Sequence, residues 1–310
     1  MIIVTGVKRA VLEGMTTLGA AETESDLIDG ISRRVWRIGW RLAGFFGLWA
    51  LLLAPTALLG DWLRELGERS PAEVRFFFDC VGLVTVLLAG WIMAHWVDRK
   101  EPAFSWAGGS APWREGLGGL IGGAIWLAVS LSAIGLFGAV SYAPAGEVVG
   151  PALGLAAVSL GLNAVVQEVL GRGYLWQVVQ GRMGQAWALG ATTVLFTAMH
   201  AAAFHGVGWP MLNVFLAGAL FGLLRWRTGG LFAPIGVHYA WNFLVGPALG
   251  LTVSGRDLTG GWRVFVLDGP VAVTGGKFGL EGSVLVTGVT AIACGVLCWP
   301  LLKHRKQTLG

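Results

Sequence analysis

The chain has 310 residues, of which 55% are hydrophobic and only 13% are charged, and its mean hydropathy is +0.68. A soluble globular domain carries about 25% charged residues, so this composition excludes a water-soluble protein. The net charge of +4 does not indicate nucleic-acid binding. The basic residues lie mostly at the ends of apolar segments, where they indicate membrane topology and contact with anionic membrane lipids.

Residues 1–35 are mixed polar and apolar and lack the apolar core of a cleavable signal peptide. We interpret them as a cytoplasmic N-terminal segment, followed by a single integral membrane peptidase-like domain over 36–310. Apolar blocks near the roughly 20 residues that span a bilayer as a helix predict an all-α polytopic membrane bundle. The eight predicted spans are 41–60, 75–97, 117–141, 149–179, 186–204, 209–226, 231–250 and 284–302.

Two of these spans carry further information. The fourth is longer than a minimal span, so we expect its cytosolic end to continue as an interfacial helix. The third contains overlapping small-xxx-small pairs, which favour close helix packing. These pairs are formed by Gly118, Gly119, Gly122 and Gly123.

The basic residues predict the orientation of the bundle. With both termini cytoplasmic, sixteen of the 22 Lys and Arg residues lie inside, as the positive-inside rule requires. The six that remain outside are Arg64, Arg69, Arg75, Arg256, Arg263 and Lys277. We therefore expect an integral protein of the bacterial inner membrane with its N- and C-termini in the cytoplasm.

Ionisable side chains within membrane spans are costly and usually face a cavity or a functional site. The fourth span carries Gln167, Glu168 and Arg172, the fifth carries His200, and the seventh carries His238 and Asn242. Asp79 in the second span lies near the outer end, where we expect it to reach the interface.

Helix rise tests whether these groups can meet. Counted from the cytosolic ends at about 1.5 Å per residue, Glu168 lies roughly 17 Å deep and His200 about 21 Å deep. His238 and Asn242 lie at roughly 10 and 16 Å and share one helix face by their i, i+4 spacing. Alternatives remain for single residues: packing for His200, mutual neutralisation for Glu168 and Arg172, and interhelical hydrogen bonding for Asn242.

Together these residues resemble three motifs of one protein family. Gln-Glu-Val-Leu-Gly-Arg over 167–172 resembles a Glu-Glu-x-x-x-Arg motif, Phe196 to His200 resembles Phe-x-x-x-His, and His238 to Asn242 resembles His-x-x-x-Asn. Their order and spacing, within 150–250, are those of the CAAX-protease and bacteriocin-processing family, which includes the type II CAAX prenyl endopeptidases.

The resemblance implies an intramembrane endopeptidase acting on membrane-associated or lipidated protein substrates. A membrane-embedded Glu would activate water, His and Asn would support it, and Arg172 and Phe196 would play supporting roles. We expect no cofactor. The alternative is Zn²⁺ held by Glu168, His200 and His238, with a bound water as the nucleophile.

One position departs from the family pattern. Gln167 stands where the first Glu, which has the main catalytic role in the family, is expected. An amide does not ionise near neutral pH and can only orient water. Three interpretations follow: Glu168 takes over the base role, the protein binds membrane protein partners without cleaving them, or Gln167 is an introduced substitution in an active enzyme. A transporter is a further alternative, but duplicated halves and paired broken helices are not evident.

Overall fold

Helices dominate the computed structural model, which describes residues 24–65, 71–99, 104–146, 150–204, 208–258 and 262–307. Residues 1–23 of the predicted N-terminal segment lie outside the described residues. The helices are α1 (Glu24–Glu65), α2 (Pro71–Ile92), α3 (Pro112–Gly135), α4 (Gly150–Glu168), α5 (Trp176–Met183), α6 (Gln185–Met199), α7 (Trp209–Thr228), α8 (Phe232–Phe243), α9 (Val271–Thr274) and α10 (Val284–Gln307). The strands are β1 (Val140–Ala145) and β2 (Arg263–Leu267).

Three of the helices continue through a wider, π-helical turn. Helix α2 runs on through Met93–Asp98, α4 through Val169–Leu175 into α5, and α8 through Leu244–Ala248. Such turns insert one extra residue per turn and are frequent at functional sites. The turn after α4 contains Arg172, so it changes the direction in which the first motif presents its side chains.

The helix lengths confirm a membrane bundle. Within the described ranges, six helical stretches are long and apolar enough to cross a bilayer. They are Ile28–Thr56, Ala72–Asp98, Pro112–Gly135, Leu153–Met183, Trp209–Thr228 and Val284–Leu301. The predicted spans 186–204 and 231–250 are also helical, but α6 and α8 are shorter than the other six.

A two-stranded sheet is the part of the fold that the sequence did not predict. Strands β1 and β2 pair antiparallel, with Val140 opposite Leu267. The predicted third span extended to residue 141, but α3 ends at Gly135 and Gly138 follows with a φ of 69°. A glycine in this left-handed conformation is a common helix stop, and it turns the chain into β1.

The chain divides into two compact units, residues 1–40 and residues 41–310. The predicted boundary between 35 and 36 falls within α1, which is helical from Glu24 to Glu65. All residues of the predicted site belong to the larger unit.

Close packing of α3 against α8 positions the third motif. A Cβ atom on Gly119 would lie 2.3 Å from the carbonyl oxygen of Ala233, and one on Gly123 would lie 2.8 Å from that of Val237. A Cβ on Gly118 would contact nothing within 4 Å. The predicted small-residue packing therefore rests on Gly119 and Gly123, whose missing side chains let α3 approach the helix that carries His238.

We expect Gly123→Ala to destabilise the protein and Gly118→Ala to leave its stability unchanged. Both substitutions add one methyl group to the same helix, but only the first forces the two backbones apart, at a cost of about 1–3 kcal/mol. Thermal unfolding of the purified variants in detergent measures the difference. Equal melting temperatures for the two variants would contradict this packing.

The predicted orientation is tested by labelling single cysteines. With the natural cysteines replaced by serine, Lys277→Cys should react with a membrane-impermeant maleimide in intact cells, and Arg227→Cys should react only after lysis. Both side chains are exposed in the structure, so their reactivity reports the side of the membrane. The reverse pattern would place both termini outside.

Candidate active site

The first motif lies at the junction between α4 and its π-helical turn. Glu168 is the last residue of α4, and Arg172 lies in the middle of the turn. Gly173 makes close packing possible there, because a Cβ at this position would lie 2.8 Å from Phe104 Cδ1. Tyr174 anchors the turn by donating a hydrogen bond to Asp98 Oδ2 at 2.7 Å.

Glu168 is the centre of a buried ion network. Its two carboxylate oxygens accept hydrogen bonds from Arg172 Nη1 at 3.0 and 3.1 Å, and Oε1 lies 2.9 Å from His238 Nδ1. Glu168 and Arg172 are both 0% exposed, and Arg172 Nη2 donates to the Gly218 carbonyl at 2.8 Å. A buried carboxylate requires such partners, because an unpaired charge in a low-dielectric interior is very costly.

Aromatic rings fix the imidazole of His238. Phe221 stacks on it with ring centroids 4.9 Å apart and an interplanar angle of 17°, and Phe196 contacts it edge-on at 5.6 Å. The Arg172 guanidinium lies over the Phe196 ring, 4.8 Å from its centroid. Since Nδ1 is held by Glu168, the ring presents Nε2 on its other side, and Nε2 has no hydrogen-bond partner among the described residues.

A cavity of about 840 Å³ lies against this network. Its polar lining consists of Arg75, Asp79, Asn163, Gln167, His200, Asn213, His238, Asn242, Ser254, Arg256 and Glu281. Glu168 and Arg172 are not among the described residues that line it. His238 is thus the member of the buried network that reaches the cavity.

Gln167 lines the cavity at the end of a chain of hydrogen bonds. Its Nε2 donates to Asn163 Oδ1 at 2.6 Å, and Asn163 Nδ2 donates to Asp79 Oδ1 at 3.1 Å. Ser159 donates to the other carboxylate oxygen of Asp79. We expected Asp79 to reach the interface, but its side chain lines the cavity and, through Asn163, orients the Gln167 amide.

His200 and Asn242 complete the predicted set on the cavity wall. His200 Nδ1 lies 2.8 Å from the carbonyl oxygen of Phe196. Because a carbonyl oxygen only accepts hydrogen bonds, Nδ1 carries the hydrogen and Nε2 carries the free lone pair. Asn242 lies one turn after His238 on α8. The cavity therefore collects Gln167, His200, His238 and Asn242, while Glu168 lies behind His238.

Sequence reasoning missed a second carboxylate beside the site. Glu281 Oε1 accepts a hydrogen bond from Trp241 Nε1 at 2.9 Å, and its Oε2 accepts from the backbone N and the Oγ of Ser254 at 2.7 and 2.6 Å. It lies in the glycine-rich stretch between the predicted spans 231–250 and 284–302. Its position there gave no signal, because a carboxylate in a loop is ordinarily solvated.

The predicted zinc ligands do not form a metal-binding group. Over the part of the chain that the structure describes, no three or more His, Cys, Asp or Glu side chains are arranged to hold a metal ion. Both oxygens of Glu168 accept hydrogen bonds from the Arg172 guanidinium, so this carboxylate is engaged by a cation. No step below passes through a metal.

A comparison with protein families identifies the central segment. Residues 149–244 match the Rce1-like type II CAAX prenyl endopeptidase family. The resemblance drawn from three short motifs is confirmed over this segment, which includes every predicted site residue from Gln167 to Asn242. The match supports a membrane protease. Searches of curated proteins and of solved structures gave no match.

Removing the guanidinium of the endopeptidase-like motif should destabilise the protein strongly. We expect Arg172→Gln to cost about 3–5 kcal/mol, because it leaves the Glu168 carboxylate buried without its cationic partner. Arg227→Gln, which changes an exposed arginine, is the matched control and should cost less than about 0.5 kcal/mol. Thermal unfolding in detergent compares the two, and similar melting temperatures would show that the buried pair contributes no stability.

Proposed function

We propose that the protein is an intramembrane endopeptidase in which His238, held by Glu168, activates water. One observation supports this assignment above the others: the 2.9 Å contact between Glu168 Oε1 and His238 Nδ1 leaves Nε2 on the cavity side. A carboxylate that accepts from Nδ1 fixes the tautomer of an imidazole and stabilises the imidazolium when it forms. The general base is then an imidazole, so the mechanism does not need a carboxylate at position 167.

The reaction can be written with its protons balanced. Water in the cavity attacks the carbonyl carbon of the scissile peptide bond while His238 Nε2 takes one proton from it. The resulting imidazolium, paired with Glu168, donates that proton to the nitrogen of the leaving amine as the C–N bond breaks. The products are a carboxylic acid and a free amine.

Amide side chains on the cavity wall suit the negative charge of the intermediate. Gln167 and Asn242 carry N–H groups that can donate to the oxyanion, and one such donor contributes about 3–4 kcal/mol in well-studied acyl-transfer sites. Asp79 and Asn163 orient Gln167 through hydrogen bonds. Such orientation before the reaction makes a donor more effective.

The substrates we propose are membrane-associated proteins or peptides. The cavity volume falls within the roughly 300–1,000 Å³ of clefts that bury a drug-sized ligand, and its walls combine these polar groups with Phe78, Leu160 and Trp126. Such a lining suits an extended, largely apolar peptide segment. Membrane lipids are the other partners we expect, because they surround the bundle.

A second candidate function is binding without cleavage. Two observations favour it: Gln167 places an amide where the family pattern has a carboxylate, and the Glu168 carboxylate is already bonded to Arg172 and His238. A protein of this kind would hold membrane protein partners in the cavity and release them intact. The same cavity supports both candidates, so only product formation separates them.

The deciding experiment uses a host from which the gene for this protein has been deleted and which expresses one of four forms of the protein. It compares the new protein termini that appear in the host membranes. The four forms are the natural sequence, His238→Ala, Glu168→Gln and Gln167→Glu. We expect new termini with the natural sequence, none with His238→Ala, and a reduction of about 10²-fold or more with Glu168→Gln, because loss of the carboxylate weakens the base. Quantitative mass spectrometry of the termini measures all four.

Two results would contradict the proposed mechanism. If the new termini persist with His238→Ala, His238 is not the general base. If they appear only with Gln167→Glu, the natural protein has the binding function. Membrane insertion of each variant, measured by its abundance in the membrane fraction, is the control for folding.

A further inference from the structure

The cavity is open at one end of the helix bundle. Among the described residues that line it, those with exposed side chains are Met199, Ala202 and Arg256. Met199 is the last residue of α6, Ala202 lies in the turn between α6 and α7, and Arg256 lies in the loop between α8 and β2. These three side chains therefore mark the mouth of the cavity.

The two connections that carry the mouth lie at the same end of the bundle. The ring of Phe204, in the turn between α6 and α7, lies 6.0 Å from the ring of Phe278 in the segment before α10. The carbonyl oxygen of Phe278 accepts a hydrogen bond from the nitrogen of Gly255, next to Arg256, at 3.0 Å. The mouth is thus at the end where α7 and α10 begin.

A packed segment closes the opposite end. Residues 104–111, which precede α3, lie against the short connection between α7 and α8. The carbonyl oxygen of Trp106 accepts a hydrogen bond from the nitrogen of Leu231 at 2.8 Å, and a Cβ atom on Gly108 would lie 1.5 Å from the carbonyl oxygen of Thr228. None of these residues lines the cavity. Backbones in such close contact leave no room for a peptide to pass between them.

Buried charged side chains hold this closed end together. Glu115 and Arg225 are 6% and 3% exposed. Glu115 Oε1 accepts a hydrogen bond from the nitrogen of Gly108 at 3.0 Å, and Arg225 donates to the carbonyl oxygens of Arg172, at 3.1 Å, and of Gly229. Opening this end would break hydrogen bonds to buried charged groups, which costs more than breaking bonds between neutral groups. The closed end is therefore a stable part of the fold.

The closed end is also the more basic end of the sequence. The described exposed or half-buried basic residues near it include Arg99, Arg114, Arg182 and Arg227, and the C-terminal Lys303, Arg305 and Lys306 follow on the same side. The positive-inside rule places the more basic end of a bundle in the cytoplasm. The mouth then faces the extracytoplasmic side of the membrane.

We propose, on the basis of the proposed peptidase function and the predicted orientation, that peptide substrates enter the cavity from the extracytoplasmic side. The substrate class follows from this route. It consists of membrane proteins or membrane-bound peptides whose scissile segment lies in the outer half of the bilayer or just outside it. A segment that remains in the cytoplasm does not reach His238, because the packed segment 104–111 closes that end.

The test measures access to the cavity and does not depend on cleavage. Ala217 lines the cavity on α7, about 12 Å along the helix from its first residue. The variant Ala217→Cys, made in a protein whose natural cysteines are replaced by serine, is treated with a maleimide carried on a short Gly-Ser peptide that does not cross membranes. Spheroplasts present the extracytoplasmic side to this reagent, and inverted membrane vesicles present the cytoplasmic side.

Phe215→Cys is the matched control, because Phe215 lies at nearly the same depth on α7, is 41% exposed and does not line the cavity. In spheroplasts we expect Ala217→Cys to react at least about tenfold faster than Phe215→Cys, since the thiolate is the reactive form and an apolar surrounding disfavours it. In inverted vesicles the two variants should react equally slowly. Labelling after denaturation in detergent shows that both cysteines are present and free.

Three results would overturn the proposal. Faster reaction of Ala217→Cys in inverted vesicles than in spheroplasts would place the entry on the cytoplasmic side, and reaction of Lys277→Cys in the same preparation would show that the whole bundle is inverted. Fast reaction in both preparations would show that the packed segment does not close its end. Slow reaction in both would show that no peptide enters from water. None of these results measures cleavage, so the termini experiment still decides the peptidase function.

Discussion

The site depends on one buried carboxylate and the groups that neutralise it. Glu168 has no exposed surface and accepts hydrogen bonds from Arg172 while contacting His238. Removing Arg172 would leave an uncompensated charge in the interior of the bundle, which is far more costly than the loss of one ordinary hydrogen bond. Removing His238 would leave the ion pair in place and take away one hydrogen bond. The network therefore fixes the relative position of α4 and α8, and with it the imidazole that faces the cavity.

The close packing of α3 against α8 holds the helix that carries His238 in position. Gly119 and Gly123 allow the backbones of the two helices to touch. In the cavity wall, Trp126 of α3 stacks on Trp241 of α8 with centroids 3.8 Å apart and donates a hydrogen bond to Thr290 of α10 at 3.0 Å. The cavity walls are thus held by backbone contact and by aromatic stacking, and both leave little freedom for the side chains that line the cavity.

The substitution at 167 has a different meaning in three dimensions than in the sequence. Read alone, an amide in place of a carboxylate indicates a lost base. In the structure, Gln167 is the end of a hydrogen-bonded chain from Asp79 through Asn163, and the second carboxylate of the motif reaches the cavity through His238. In the proposed mechanism, a carboxylate–imidazole pair therefore takes the role that the family pattern gives to a pair of carboxylates.

The sequence by itself determined the membrane class, the approximate spans and the three motifs, because hydrocarbon demands long apolar helices and makes intramembrane polar residues conspicuous. It also marked Gly118, Gly119, Gly122 and Gly123 as packing residues by their spacing, and the structure restricts the close backbone contacts to Gly119 and Gly123. Only the tertiary structure decided that Glu168 faces Arg172 and His238 while Gln167 faces the cavity. Helix geometry places adjacent residues about 100° apart but does not tell which neighbouring helix each side chain meets. Segments far apart in the chain meet to form the cavity wall, which includes Arg75, Asp79, Arg256 and Glu281. The local sequence around each of these residues does not reveal that they share one cavity.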